Sequence, residues 1–206
     1  MAKAVLDFVG AAMLLLVLSP LLLLCMLLVK LDRGPIFYTQ LRVGRNEKLF
    51  MIIKLRTMIV DADHHLDADG KPTLNRVTRI GALLRISSLD ELPQLLNILK
   101  GEMTFVGPRP ILPSMLQYLT ARERTRFQLK PGLTGLAQIK GRNKLLWSRR
   151  FSYDVVYTKR QTLALDLWIA WLTIRMLLRR EGVVIDRNPT KVDDITGRVN
   201  QVSTTR

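Results

Sequence analysis

The chain opens with a long apolar stretch. Residues 8–29 contain no charge, and as a helix these 22 residues would extend about 33 Å, close to the thickness of a bilayer core. The stretch is too long for the apolar core of a cleaved signal peptide, and no small-residue cleavage site follows it. We therefore predict a retained membrane helix.

The path of this helix has two interpretations. Ser19 and Pro20 lie in its middle, where proline removes a backbone hydrogen bond and the serine hydroxyl can satisfy a freed backbone group. Basic residues flank both ends, with Lys3 before the stretch and Lys30 and Arg33 after it. Because basic flanks favour the cytoplasmic side, a re-entrant hairpin broken at Ser19-Pro20 competes with a kinked single span.

The pattern after residue 33 predicts a β-hairpin followed by short helices. Residues 37–43 and 49–54 are β-prone, and the turn residues 44–47 separate them. Apolar residues then recur at helical spacing, and the segment 130–143 resembles a loop because it contains three glycines and a proline. The predicted helices are residues 78–85, 92–99, 113–128, 144–158 and 162–180.

The last helix is amphipathic. Trp168 and Trp171 lie on its apolar face, and Arg175 and Arg179 lie near its C-terminal end. This pattern is typical of a helix in the headgroup region, although an ordinary helix packed on the domain core is the alternative. The chain after Gly182 is polar and of mixed charge, which indicates a flexible tail.

The charge of the chain implies an anionic partner. Thirty-two Lys and Arg residues against 17 Asp and Glu residues leave a formal charge of +15, which suits nucleic acid, acidic lipid or a phosphorylated substrate. No zinc-finger spacing or aromatic RNA-binding pattern is present. The single cysteine, Cys25, excludes a disulfide within one chain and indicates a reducing compartment for the soluble part.

An acidic segment at residues 61–72 resembles a metal site but does not fit one. Read as a calcium-binding EF-hand loop from Asp61, it places Leu66 and Pro72 where glycine and glutamate are required. The adjacent residues His64 and His65 also lack zinc-ligand spacing. We interpret the segment as a solvated loop.

Asp90 and Glu91 pose the central question of the sequence. Ser88 with Glu91 matches a capping box, and Asp90 could instead cap a helix that has Pro93 in its first turn. Arg85 precedes the pair and Arg109 is held between two prolines, while Lys54 and Arg56 end the second predicted strand. Several guanidinium groups near a carboxylate pair favour a site for an anionic substrate.

Four motifs, together with the Ser19-Pro20 segment, carry a family resemblance. They are KLRTM at residues 54–58, SLDELPQ at 88–94, GPRP at 107–110 and PGLTGLAQIKGRN at 131–143. Residues 3–182 resemble the monotopic polyprenol-phosphate phosphoglycosyl transferases, which are bacterial sugar transferases. The chain is similar to their minimal catalytic form, because the multi-span N-terminal portion of the large members is absent from it.

The resemblance implies an α+β, mostly helical fold with an N-terminal re-entrant membrane helix, a small β-hairpin and amphipathic interfacial helices. It divides the chain into a membrane helix at residues 1–33, a catalytic domain on the membrane surface at 34–182 and a polar tail at 183–206. The active site would then lie at the cytoplasmic face of the bacterial inner membrane.

The implied reaction moves a sugar-1-phosphate from a nucleoside diphosphate sugar to polyprenol phosphate and releases the nucleoside monophosphate. Asp90 would be the nucleophile, and Glu91 would help to bind Mg²⁺ or to position the second substrate, so that Asp90 and Glu91 are also the expected metal ligands. The expected substrate-binding residues are Lys54, Arg56, Thr57, Arg85, Pro108, Arg109, Gln138, Arg142 and Asn143.

The expected partners are the sugar nucleotide, polyprenol phosphate and anionic phospholipid. Nucleic acid is not an expected partner, and the sequence leaves open whether the protein forms an oligomer. The alternative function is a non-enzymatic, membrane-anchored basic module that binds acidic lipid or nucleic acid, in which Asp90 and Glu91 only cap a helix.

Overall fold

The computed structural model describes residues 2–62, 76–141, 145–179 and 194–195. Within these ranges the chain is mostly helical with two small sheets, which confirms the predicted α+β class. The elements are α1 (Ala2–Leu31), β1 (Phe37–Val43), β2 (Leu49–Leu55), α2 (Arg79–Ser87), α3 (Gln94–Leu99), β3 (Thr104–Val106), α4 (Ala121–Arg124), β4 (Gly132–Thr134), α5 (Leu136–Gly141), α6 (Trp147–Arg160) and α7 (Leu163–Leu178).

Helix α1 continues through its proline. Pro20 has no N–H group to donate to the carbonyl of Leu16, one helical turn earlier. The hydroxyl of Ser19 donates to that carbonyl instead, at 2.8 Å, so the freed acceptor is satisfied as the sequence predicted. By length and composition the helix is able to cross a membrane, with a mean hydropathy of 2.9 over its most apolar window.

One side of α1 packs on the rest of the protein along most of its length. Ala11 joins a buried cluster with Phe50 and Leu95, and Cys25 and Val29 join a second cluster formed mainly with β2 and α2. The other side exposes large apolar side chains, including those of Val5, Phe8, Val9, Met13, Leu16, Val17, Leu23, Leu24 and Leu27.

Polar contacts fix both ends of α1 to the same domain. Near the N-terminus, Lys3 pairs with Asp166 at 2.6 Å, and Asp7 accepts hydrogen bonds from the Thr104 hydroxyl and the Phe105 N–H. At the C-terminus, Arg56 donates to the carbonyls of Val29 and Arg33. The helix therefore lies against the domain instead of leaving it at one end.

The predicted hairpin is confirmed. Strands β1 and β2 pair antiparallel from Phe37 opposite Leu55 to Val43 opposite Leu49, and a 3₁₀ turn at Arg45–Glu47 joins them. Asn46 adopts a left-handed conformation in this turn (φ +54°), which asparagine tolerates better than most residues.

A buried asparagine attaches α3 to the hairpin. The side chain of Asn97 is fully buried; its Oδ1 accepts from the Ile53 N–H at 3.1 Å, and its Nδ2 donates to the Met51 carbonyl at 2.8 Å and to Glu102 at 2.7 Å. These bonds satisfy backbone N–H and carbonyl groups on the outer edge of β2, which would otherwise need water as a partner. They also fix the position of the turn that precedes α3.

Two of the sequence predictions are wrong. The helix predicted at 113–128 is broken into the 3₁₀ segments Pro113–Tyr118 and Thr125–Gln128 on either side of α4. Leu119 is extended, and Thr120 and Glu123 form a capping box that starts a new helix. The loop predicted at 130–143 contains β4, which pairs parallel with β3, and α5.

The other predicted helices are confirmed within one to three residues at most ends. Thr78 caps α2 and Thr162 caps α7 through their hydroxyl groups, and Gly101 follows α3 with a positive φ of 76°. Helix α7 buries only Asp166 and Ile169 and exposes Trp168 and Trp171, so it differs from an ordinary core helix. Membrane contact by α7 stays a prediction, and residues 63–75 of the acidic loop lie outside the described residues.

We expect Asn97→Ala to lower the free energy of unfolding by about 2–4 kcal/mol, because it leaves the Ile53 N–H, the Met51 carbonyl and Glu102 without their partner. Thermal unfolding in detergent measures this effect. The control is Asn46→Gly, at an exposed left-handed position that glycine suits, and it should be nearly neutral. Equal stability of the two variants would contradict the role assigned to Asn97.

Candidate active site

Asp90 and Glu91 lie in a 3₁₀ turn, Leu89–Glu91, between α2 and α3. Ser88 precedes the turn in a left-handed conformation (φ +59°) that ends α2 and reverses the chain. Its side chain makes no capping hydrogen bond, and the N-cap position of α3 is Pro93. Neither capping interpretation of the sequence is therefore correct, and both carboxylates are available for other contacts.

Glu91 is held by two cations. One carboxylate oxygen, Oε1, accepts from Lys54 Nζ at 2.6 Å and from Arg109 Nη2 at 3.0 Å. Burial alone would raise the pKa of Glu91, but the charges of Lys54 and Arg109 outweigh it and hold the pKa well below its usual range. Glu91 is therefore an ionised anchor that fixes both cations.

Asp90 has the opposite environment. Within the described ranges its carboxylate makes no hydrogen bond and no ion pair. Burial, and secondly the neighbouring charge of Glu91, raise its pKa to about 6, although Lys54, Arg85 and Arg109 oppose the rise. At neutral pH Asp90 is thus ionised but unpaired, which leaves its oxygens free to react or to bind an external group.

The structure brings three predicted cations to the pair. Besides Lys54 on β2 and Arg109, Arg85 in the last turn of α2 contributes charge at Asp90. The Nε of Arg85 donates to the buried hydroxyl of Thr57 at 2.8 Å, so Thr57 orients this guanidinium. Lys54, Thr57, Arg85 and Arg109 therefore lie together around the carboxylate pair, and their role in binding a substrate stays a prediction.

Arg109 lies on a segment fixed at three backbone carbonyls. The carbonyl of Pro108 accepts from the Gly132 N–H at 2.9 Å, and that of Ile111 accepts from the Val43 N–H at 3.0 Å. Between them, Arg126 Nη2 donates to the carbonyl of Arg109 itself. A Cβ on Gly132 would lie 2.1 Å from the Gly107 nitrogen, so glycine is required for this close approach.

Sequence reasoning missed the support behind Arg109. Arg126 pairs with Asp154 of α6 at 2.7 Å, and both side chains are 2% exposed. The Arg126 guanidinium also lies over the rings of Phe127 and Phe151, at 5.5 and 5.1 Å from their centres. No local pattern signals this pair, because Arg126 and Asp154 meet only through the tertiary fold.

Arg42 on β1 is a second residue that sequence reasoning missed. Its side chain points to the same face of the hairpin as Lys54, because Arg42 is opposite Phe50 and Lys54 is opposite Tyr38. Burial, and secondly the positive charge of Arg109, lower the pKa of Arg42 to about 10. Its Nη2 donates to Gln40, and its Nε has no partner in the described ranges. The alternation of side chains along the hairpin could have revealed it.

The contacts of the described residues do not place the remaining predicted residues beside Asp90 and Glu91. Arg56 binds the C-terminal end of α1. Gln138 on α5 lies beside Gly135, and its amide atoms are buried without a hydrogen-bond partner in the described ranges. Arg142 and Asn143 lie outside the described residues.

No group of three or more His, Cys, Asp or Glu side chains suited to a metal occurs in residues 2–62, 76–141, 145–179 and 194–195. The carboxylate pair alone nevertheless fits Mg²⁺. Asp90 and the second oxygen of Glu91, Oε2, have no partner in these ranges, and Mg²⁺ commonly combines one or two carboxylates with substrate phosphates. Magnesium binding by Asp90 and Glu91 stays a prediction.

Comparison with known proteins agrees with the motifs. The family model of the bacterial sugar transferases matches residues 1–180. The chain belongs to this family. Asp90, Glu91 and the cations around them all lie within the part of this sugar transferase that the family model covers.

Individual relatives support the assignment. The sugar transferase is 41% identical to the uncharacterized sugar transferase EpsL of Bacillus subtilis, over 88% of this chain and 89% of the relative. It is 42% identical to a UDP-glucose:undecaprenyl-phosphate glucose-1-phosphate transferase of Caulobacter vibrioides, over 86% of this chain and 67% of the relative. It is 37% identical to an undecaprenyl-phosphate galactose phosphotransferase of Salmonella typhimurium, over 87% of this chain and 41% of the relative.

We expect the two neighbouring carboxylates to affect stability in opposite directions. The folded-state pKa of Asp90 is raised, so its ionised carboxylate lowers the free energy of unfolding. This destabilisation is absent below about pH 4, grows as the pH rises towards 6 and is complete above that. At pH 7.5 Asp90→Asn should therefore stabilise the sugar transferase by about 1–2 kcal/mol.

Glu91→Gln is the matched variant for this prediction. It should destabilise by about 1–3 kcal/mol, because it leaves Lys54 and Arg109 without a counter-charge. Thermal unfolding of both variants in one detergent, at pH 7.5 and pH 5, measures the two effects. A lower melting temperature for Asp90→Asn at pH 7.5 would show that the Asp90 carboxylate is paired.

Proposed function

We propose that the protein transfers a sugar-1-phosphate from a UDP-sugar to polyprenol phosphate and releases UMP, as the first membrane step of glycan assembly. The observation that carries this proposal is the Asp90 carboxylate, unpaired within the described residues, next to Glu91, whose Oε1 pairs with Lys54 and Arg109. Relatives named for glucose and galactose transfer to undecaprenyl phosphate support the same substrate classes here.

In the first step an oxygen of Asp90 attacks the phosphorus that carries the sugar. A carboxyl–phosphate bond forms, the phosphoanhydride bond breaks, and UMP leaves with the bonding electron pair on its phosphate oxygen. Two unit charges 4 Å apart repel by about 4 kcal/mol at an effective dielectric constant of 20. Lys54, Arg85 and Arg109 offset this repulsion and stabilise the transferring phosphoryl group.

In the second step a phosphate oxygen of polyprenol phosphate attacks the same phosphorus. The carboxyl–phosphate bond breaks, Asp90 is regenerated, and the sugar leaves as polyprenyl diphosphate sugar. Two successive displacements let a water-soluble donor and a lipid acceptor use one site in turn. Glu91 keeps Lys54 and Arg109 in place through both steps, because its own ion pairs need not break.

A Mg²⁺ ion held by Asp90 and the free oxygen of Glu91 would supply further charge neutralisation at the diphosphate. Arg42 adds a cation on the Lys54 face of the hairpin, close enough for its charge to act on Glu91 and Arg109. The described residues thus provide four positive charges around two carboxylates, and this excess favours a dianionic donor.

We also propose a re-entrant path for α1 and a site at the cytoplasmic face of the bacterial inner membrane. The polar contacts of Lys3 and Asp7 at one end of α1, and of Arg56 at the other, support this path, because a straight span would carry the domain into the bilayer. The exposed tryptophans of α7 support contact with the lipid headgroups. The net charge of +15 favours anionic phospholipid.

Release of UMP from a panel of UDP-sugars, in detergent with Mg²⁺ and polyprenol phosphate, tests the reaction and identifies the sugar. A protein that binds anionic lipid but releases no nucleotide from any sugar nucleotide would instead support the basic binding module. That alternative treats Asp90 and Glu91 as helix caps only. Neither carboxylate caps a helix, so the geometry at this pair does not support it.

We expect Asp90→Asn to lower turnover at least about 10³-fold, because an amide cannot act as the nucleophile. Without acceptor lipid, the wild-type peptide that contains Asp90 should gain the mass of one phosphosugar, and added polyprenol phosphate should remove it. Asp61→Asn makes the same change at an exposed position and should keep wild-type activity. Wild-type turnover by Asp90→Asn would exclude the two-step mechanism.

We expect both ends of α1 to face the cytoplasm. Single cysteines at the exposed positions Ala2 and Lys48, in a Cys25→Ala background, should both resist an impermeant thiol reagent in intact cells and react after permeabilisation. The reactivity of Ala2→Cys in intact cells, with Lys48→Cys protected, would establish a single span instead.

A further inference from the structure

Two residues of the C-terminal tail pack on the catalytic domain. Oδ1 of Asp194 accepts from the Ser148 N–H at 3.1 Å, and its Oδ2 accepts from the Ser148 hydroxyl. The neighbouring residue Ile195 is 2% exposed. The sequence predicted a polar, flexible tail at 183–206, and these contacts give a structural position to two of its residues.

Asp194 supplies what the N-terminus of α6 lacks. The N-cap residue of α6 is Leu146, which has no side-chain acceptor, and the first turn contains no acidic residue. A carboxylate that accepts from the second N–H of a helix both satisfies an unpaired donor and complements the positive end of the helix dipole. Asp194 therefore caps α6 from a distant part of the chain.

Ile195 fills the apolar cluster that lies under the arginines of the site. Its buried partners include Val43, Ile111, Phe127 and Phe151. Ile111 follows Arg109 by two residues, and Phe127 directly follows Arg126. Ile195 thus packs into the same cluster as a near neighbour of Arg109 and a direct neighbour of Arg126, which donates to the Arg109 carbonyl.

A continuous series of contacts joins the tail to the carboxylate pair. Asp194 binds the first turn of α6, and Asp154, two turns further along α6, pairs with Arg126. Arg126 donates to the carbonyl of Arg109, and Arg109 pairs with Glu91. Each link is a hydrogen bond or an ion pair, and the pair of Arg126 and Asp154 is completely enclosed.

We infer that Asp194 and Ile195 are positioning residues for the transfer reaction, because they hold α6 and the cluster beneath Arg109 in the arrangement that aims Arg109 at the donor diphosphate. This inference rests on the proposed function. The two residues touch no reacting atom themselves; they act through α6, Arg126 and Arg109.

The kinetic test compares Asp194→Ala with Asp194→Asn. We expect Asp194→Ala to raise the KM for the UDP-sugar about 3–10-fold and to lower kcat, because Arg109 is held less well, whereas Asp194→Asn keeps the capping oxygen and stays within about twofold of wild type. Ile195→Ala should resemble Asp194→Ala, and Ile195→Val should resemble wild type.

A double-variant cycle tests whether the effect passes through Arg109. In an Arg109→Lys background, Asp194→Ala should change KM by less than about twofold, because the Arg109 guanidinium that Asp194 positions is already absent. Equal effects of Asp194→Ala in both backgrounds would overturn the inference. So would a loss of active protein with an unchanged KM, which is the result of a purely structural role.

Hydrogen exchange separates this inference from the proposed function. In Asp194→Ala, amides in the first turn of α6 and in residues 107–111 should exchange faster, while the middle of the β1–β2 hairpin, where Thr39 is opposite Ile53 and Leu41 is opposite Met51, stays unchanged. If wild-type protein releases UMP and Asp194→Ala matches it in KM and in exchange, only the inference fails. If wild-type protein releases no UMP from any sugar nucleotide, the proposed function fails.

Discussion

The burial of two adjacent carboxylates in one turn is the constraint on which this structure depends. Asp90 and Glu91 cannot both be taken from water at low cost unless positive charge surrounds them. That charge comes from separate parts of the fold: the hairpin, α2 and the segment that contains Arg109. Asp90 and Glu91 can therefore be buried at low cost only when these three elements come together.

The solution is asymmetric, and the asymmetry separates two roles. Glu91 takes the direct ion pairs and becomes a fixed part of the site. Among the described residues, Asp90 receives only the longer-range attraction of Lys54, Arg85 and Arg109, which favours its ionised form without covering its oxygens. A symmetric arrangement, with one cation on each carboxylate, would leave neither group free for an incoming phosphorus atom.

Local signals explain which parts of the structure could be predicted from the sequence. The hairpin followed from two β-prone runs around turn residues, and the role of Ser19 followed from the missing N–H of Pro20. Lys54 was predicted from its place at the end of the second strand, Arg85 from its place five residues before Asp90, and Arg109 from the prolines on either side of it. The capping interpretation of Asp90 and Glu91 used the same local rules, but the attraction of distant Lys54 and Arg109 for Glu91 overrides it.

Long-range contacts explain what could not be predicted. Strands β3 and β4 have three residues each, too few to show alternation, and they pair across the whole of α4. Arg126 and Asp154 each look like an ordinary surface charge in the sequence, yet they form the enclosed pair behind Arg109. Arg56 follows Lys54 by two residues, but β2 ends between them, so its side chain turns to α1.

The excess of cations around the carboxylates has a consequence for a site at a lipid surface. An anionic leaflet with a surface potential near −30 mV depletes a soluble dianion about tenfold at the membrane. A sugar nucleotide would face this depletion on every approach. Arg42, Lys54, Arg85 and Arg109, which outnumber Asp90 and Glu91 by two charges, create a local attraction of opposite sign. Under the proposed function, this local attraction would draw the donor to the site against the field of the membrane.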